Sequence, residues 1–377
     1  MKILCFGRFY DKFPGGIQTH IAHLFAALNN KVEFVHLVPS RDFTKAQLSL
    51  HGYPVIRTPS LNIDGSLAIS PTLVTEAIKL HKKYQFDLIH LHFPDPMSHL
   101  ASLALPSDIP RIISWHADIT RQKILKHFYH PLLNKAINQA ATIVVATPAH
   151  ITSSPELSHL HENKLSIIHY GFDLNRFLKS HPKTEKIKNQ FPGLRIFALG
   201  RHVYYKGFDI LIRAVHQLPV DTQILIGGLG PLTEIWKKLA ASEGLHERIH
   251  FLGLVPDEVL LAYYQACDIF CLPATSSAEA FGIVQVEAMA AGKPIVSTRL
   301  NNGVDFVNQH GTTGLTVEPN NVNALADGLN KLLANPILRQ QLGEQARYRA
   351  INDFSLETMG QKTFELYQQV IIENKKP

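Results

Sequence analysis

Two carboxylates, Glu279 and Glu287, lie in the run Ser277–Pro294, with Gly282 between them and Gly292 and Pro294 behind them. Gly282 opens an apolar helical run that Gly292 and Pro294 end, so Glu279 falls in the loop before the helix and Glu287 in its second turn. The N–H groups of Gly282, Ile283 and Val284 then lack intrahelical partners, and a helix start of that kind is a site for a diphosphate. A carboxylate just ahead of it can grip sugar hydroxyls; one a turn further on can chelate a ribose diol. The plain alternative is an acid complementing the helix dipole plus a solvated glutamate. On this segment alone the two readings weigh evenly.

A second group of residues has complementary charge. Arg201 leaves a strand end and Lys206, followed by Gly207, precedes a helix. Two cations on one loop suit a pyrophosphate, which needs neutralising as it departs. An isolated pair would read as surface charge; beside the glutamate loop it does not. Gly15 and Gly16 follow the first strand and let a backbone approach a ligand closely. They form neither Gly-x-Gly-x-x-Gly nor a Walker loop. Gly228 and Gly230 read as a tight turn. His116 ends a strand at Trp115-His116 and can hydrogen-bond a sugar hydroxyl or a phosphate, although a lone histidine there is more often structural. His90 and His92 share one face of a strand with no third ligand of matching spacing nearby, so no metal is expected.

The elements that must position these residues recur in two series. Strands are expected at 3–7, 32–38, 87–92, 111–116, 142–146 and 165–170, and again at 195–200, 222–227, 248–253, 269–272, 294–298 and 314–317. Continuous apolar strands alternating with amphipathic helices mean parallel sheets covered on both faces. The fold class is therefore α/β, with two doubly wound domains whose ligands bind beyond the strands' carboxyl ends, most simply in a cleft that the two sheets face across. The expected division is 1–172, 173–355 and a final helix at 356–377 with Ser355 as its N-cap.

Composition narrows the function. A chain of 377 residues with 45% hydrophobic and 18% charged residues is globular and needs two cores. No apolar run reaches the roughly 20 residues of a bilayer span, and the N-terminal apolar stretch is too short for a signal peptide. Three cysteines, Cys5, Cys267 and Cys271, fit a reducing cytoplasm. Up to residue 170 there are 16 Lys+Arg against 11 Asp+Glu, and afterwards 21 against 20. That mild basic bias suits anionic ligands or the inner-membrane surface, and is too weak for nucleic acid. The stretch 121–135, with Lys123, Lys126 and Lys135, has the pattern of an interfacial basic helix, with packing on its own sheet the stronger reading.

Taken together, Glu279-x7-Glu287, Arg201 with Lys206-Gly207, the Gly15-Gly16 loop and Trp115-His116 resemble the retaining glycosyltransferases of family four over essentially the whole chain. The resemblance implies the GT-B architecture, two Rossmann-like domains with a nucleotide-sugar cleft between them and a C-terminal helix crossing back to the first. It implies that Arg201 and Lys206 hold the donor diphosphate, helped by the backbone at Gly16 and at Gly282, Ile283 and Val284. Glu279 with the backbone of Ala280, Phe281 and Gly282 would bind the sugar, and Glu287 the ribose. Gly253 to Val255 would meet the base, and His116 the sugar or phosphate. No metal and no cofactor are implied; the GDP- or UDP-linked hexose is a substrate. The segments around Trp115–Lys123 and Ser297–Arg299 resemble bacterial mannosyl- and rhamnosyltransferases of cell-surface polysaccharide assembly acting on glycan or lipid-linked glycan acceptors. The competing readings are an epimerase or hydrolase of the same fold, whose acid/base residues are not found, and a non-catalytic sugar-nucleotide-binding partner.

Overall fold

The computed structural model describes residues 1–7, 16–40, 45–63, 67–119 and 123–375. Its contacts divide the chain into two units, Met1–Phe172 with Ser355–Pro377, and Asp173–Phe354. In the first unit the strands are β1 (Lys2–Phe6), β2 (Glu33–Pro39), β3 (Ala46–Leu50), β4 (Tyr53–Thr58), β5 (Leu61–Ile63), β6 (Leu67–Ile69), β7 (Leu88–Phe93), β8 (Arg111–Trp115), β9 (Ala140–Val145) and β10 (Leu165–Ile167). The second holds β11 (Arg195–Leu199), β12 (Gln223–Gly227), β13 (Ile249–Gly253), β14 (Ile269–Leu272), β15 (Ile295–Thr298) and β16 (Gly314–Val317).

The sheet of the second unit runs β13-β12-β11-β14-β15-β16, parallel throughout. Chain order reverses between β11 and β14, and that switch point opens a crevice at the strands' carboxyl ends. The first sheet runs β10-β9-β8-β7-β1-β2-β4-β3, with its switch between β1 and β7. Every residue of β7, β8, β14 and β15 is buried, as strands covered on both faces require.

The hairpin β3–β4 and the two-stranded β5–β6 sheet lie outside the expected strands. Residues 46–50 are mostly exposed and lack a continuous apolar run, because β3 is an antiparallel edge strand. Its signal was the turn: His51 and Gly52 both have positive φ, 51° and 85°, the mirror-image turn that fits a tight hairpin. The final helix, Leu356–Asn374, is capped by Ser355, whose side chain accepts from the Thr358 N–H at 3.2 Å. It joins the first unit's core through Met359, Tyr367 and Val370, and Gly360 lies so near Ala27 that a Cβ would meet the Ala27 methyl at 2.8 Å. The helix Lys123–Gln139 buries Leu133, Ala136 and Ile137 in the core of its own unit, as the packed reading of 121–135 requires; Arg121 lies outside the described residues.

Candidate active site

In the second unit the loops leaving β11 and β14 carry the expected residues to the switch point. After β11 the chain makes a single 3-10 turn, Tyr204–Lys206, and Gly207 takes φ 65° to start the helix Phe208–Ala214. Gly207 has no room for a side chain, since a Cβ would come 2.0 Å from the Pro273 carbonyl oxygen of the loop after β14. This close approach aims Lys206 inward, where it is buried. Its Nζ lies 2.5 Å from Glu279 Oε2, both side chains about a tenth exposed (10% and 11%). The contact is an ion pair without hydrogen-bond alignment, which leaves Glu279 Oε2 buried with no aligned donor. Arg201 is exposed.

Glu279 is held by its backbone: its carbonyl accepts from Asn302 Nδ2 at 2.8 Å and its N–H donates to the Ser276 carbonyl at 3.1 Å. Gly282 is the N-cap of the helix Ile283–Ala290, left-handed at φ 70° and ψ 60°, so the helix begins one residue later than the apolar run indicates. Ala280 is exposed, whereas the Phe281 ring is buried against Phe354 and only its backbone can serve a ligand. Ile283 and Val284 occupy the first helical positions, whose N–H groups have no intrahelical acceptor.

Glu287 has two partners that the sequence did not single out. Tyr264 Oη donates to Glu287 Oε2 at 2.8 Å, and an Arg176 guanidinium nitrogen lies 3.7 Å from Oε1. Burial raises the Glu287 carboxyl above the usual range, opposed by the Tyr264 hydrogen bond and by Arg176. Tyr264 reads as helix core and Arg176 as linker, so neither gave a signal. Gly253 ends β13 at φ 68° with nothing within 4 Å of a Cβ, and its carbonyl accepts from the Gly228 N–H at 2.7 Å; Val255 follows, half-buried. Residues 228–230 form an irregular loop, and the turn comes just after it, where the Thr233 N–H donates to the Gly230 carbonyl at 3.1 Å; the loop packs so closely on residues 200–202 that a Cβ on Gly228 would lie 1.9 Å from the Gly200 carbonyl oxygen.

In the first unit, Gly15 lies outside the described residues, and Gly16 is exposed at the start of the helix Gly16–Ala27, with nothing within 4 Å of a Cβ. His116 follows β8, and both its ring nitrogens are engaged: Nδ1 with Tyr170 Oη at 3.0 Å, Nε2 with His92 Nδ1 at 2.9 Å. Burial, then the neighbouring His20, His90 and His150, push its pKa well below the ordinary histidine value. The sequence offers His90 and His92 no third ligand of matching spacing, but the fold brings other imidazoles beside His92. His90 is occupied by Tyr367 Oη at 2.6 Å and Ser114 Oγ at 2.8 Å, but His92 gathers with His20 and His116. The chain folding, not the spacing, assembles that trio.

Fold and loops together define a protein of the GT-B class. Solved structures agree on the fold: sucrose-phosphate synthase from Thermosynechococcus elongatus aligns with a TM-score of 0.73 at 21% identity over 99% of both chains. Anabaena Alr3699/HepE in complex with UDP aligns at 0.75 and 22% over 98% of this chain and all of that one. Residues 14–176 match the model described as Glycosyltransferase Family 4, and residues 182–349 that described as Glycosyl transferases group 1. D-rhamnosyltransferase WbpZ of Pseudomonas aeruginosa is 33% identical over 70% of this chain and 69% of its own. O-antigen chain mannosyltransferase C of Escherichia coli is 28% identical over 78% and 79%. The GDP-mannose-dependent phosphatidylinositol monomannoside mannosyltransferase of Mycolicibacterium smegmatis is 26% identical over 94% and 96%. The chain belongs to the family-four glycosyltransferases. No helix among the described residues is long and apolar enough to cross a membrane.

Proposed function

We propose that the protein is a retaining, metal-independent hexosyltransferase that moves a mannosyl group from GDP-mannose to a lipid-linked glycan in cell-surface polysaccharide synthesis, at the cytoplasmic face of the membrane. The observation that carries this reading is the Lys206–Glu279 pair at the β11/β14 switch point, directly ahead of a helix start. Glu279, a buried carboxylate paired with Lys206 just ahead of that helix start, accepts a sugar hydroxyl. Lys206 and Arg201, with the N–H groups of Ile283 and Val284, neutralise the diphosphate as it leaves, the electrostatic work that such a transfer most needs. A departing diphosphate oxygen takes the acceptor proton, so the acceptor attacks the face that the leaving group vacates and the configuration is retained. Glu287 takes the ribose diol, the Gly253–Val255 loop the base, Gly16 the diphosphate, and His116 the sugar. The mannosyltransferase names of two relatives favour a mannosyl group, and the name of the GDP-mannose-dependent one favours a GDP-linked donor.

The test is thermal unfolding of the purified chain with GDP, UDP, ADP, dTDP and their sugars, each with EDTA. A ligand that binds only the native state stabilises it by about 2.7 kcal/mol at a hundredfold excess over its dissociation constant. GDP and GDP-mannose are expected to raise the midpoint in EDTA. A shift with another base changes the donor assignment, and no shift with any of them contradicts the site.

A further inference from the structure

Unit one brings together three imidazoles from three elements: His20 from the helix Gly16–Ala27, His92 from β7 and His116 just beyond β8. One nitrogen from each ring lies within 4.8 Å of the other two. The His20 ring centroid is 5.0 Å from that of His116 and 5.7 Å from that of His92, and the His92 and His116 rings stack at 5.2 Å. His92 is fully buried, and among the described residues neither His92 Nε2 nor His20 Nδ1 has a hydrogen-bond partner.

The chemistry of the trio is selective. An imidazole binds a cation through a ring-nitrogen lone pair, and the three rings each present one such nitrogen to a common point. Imidazole suits Zn²⁺, with bonds of about 2.0–2.1 Å and hence nitrogen spacings of about 3.3 Å in a tetrahedron. His92 Nδ1 and His116 Nε2 stand 2.9 Å apart in a mutual hydrogen bond; an ion that takes both nitrogens replaces that bond, the shared proton moving to His92 Nε2. Tyr170 Oη, 3.0 Å from His116 Nδ1, supplies the outer hydrogen bond that orients a ligating ring. Three nitrogens leave a fourth position open to water.

We propose that His20, His92 and His116 form a Zn²⁺ site, and that the bound ion draws His116 away from the donor sugar and slows transfer. The first half stands on the geometry alone; the second rests on the role given to His116 under the proposed function.

The test uses the full chain, stripped with EDTA and dialysed, titrated with Zn²⁺ against a chromophoric chelator, and separately with Co²⁺ to read coordination geometry in its visible spectrum. One tight equivalent per chain is expected, with intense tetrahedral Co²⁺ bands. His20→Gln and His92→Gln should each weaken binding by more than the about 10- to 100-fold that loss of an outer-shell partner costs, in variants whose far-ultraviolet circular dichroism matches the parent. Because His20 is only half-buried, its variant remains informative should His92→Gln misfold. Absence of a tight equivalent, or affinity unchanged in His20→Gln, overturns the site. Turnover should fall as Zn²⁺ fills the site and return with EDTA. Tight binding with turnover unchanged upholds the metal site and overturns the role of His116.

Discussion

Lys206 and Glu279 are the two charges the fold holds most tightly at the switch point, and removing either strands the other. Lys206→Ala should lower stability by about 3–5 kcal/mol, the usual result of uncovering one partner of a buried pair, and lower turnover by about 10²–10³ as a diphosphate-stabilising donor is lost. Arg201→Ala should show the same loss of turnover with stability changed by no more than about 0.5 kcal/mol, because the side chain is exposed. Chemical denaturation and initial rates on both variants check this; near-normal rates in both would remove the cations from the mechanism. Tyr264→Phe takes away the hydroxyl that donates to Glu287 Oε2 at 2.8 Å and should cost about 1–3 kcal/mol in the same denaturation experiment.

At the scale of elements, the interlocked glycine loops set the geometry of the site. Gly228 has φ 114° and a Cβ there would sit 1.9 Å from the Gly200 carbonyl oxygen, so Gly228→Ala must push the Arg201 loop aside. It should cost more than the roughly 1–3 kcal/mol of backbone strain alone and impair turnover. Gly253→Ala, at φ 68° with open space around it, should cost only about 1–2 kcal/mol. Equal effects of the two substitutions on the unfolding midpoint would contradict the interlock. The central strands were legible because burial on both faces writes a largely apolar run, uninterrupted in Ile269–Leu272 and broken only by His90 and His92 in Leu88–Phe93. The edge hairpin was not, since β3 is short and mostly exposed, so its alternation Ala46 to Leu50 writes no continuous apolar run. Glu279, Lys206 and the helix start were legible because each occupies a loop beside a strand or helix boundary. Tyr264 and Arg176 were not, because their partnership with Glu287 exists only after three distant segments meet. The histidine trio is opaque for the same reason.

For the whole molecule, buried histidines of the first unit predict sensitivity to acid. His36 and His99 are both held near pKa 4, chiefly by burial, against about 6.5 in an unfolded chain. Below pH 6.5 the unfolded chain therefore binds protons that the native chain does not, so stability is complete above that pH and falls as pH drops toward 4. Each residue contributes up to about 1.4 kcal/mol per pH unit in that window. Denaturation at pH 7 and pH 5 should show the loss, and the His36→Gln and His99→Gln variants should each flatten the slope; an unchanged slope in both would assign the acid response elsewhere. The most direct measurement is the transfer reaction itself. The purified chain is incubated in EDTA with GDP-mannose and a lipid-linked glycan acceptor, and the product's anomeric configuration is read by NMR. The account predicts acceptor-dependent release of GDP and an α-linked mannosyl product, matching the donor. Release without acceptor, an inverted linkage, or no transfer from any nucleotide sugar would contradict it.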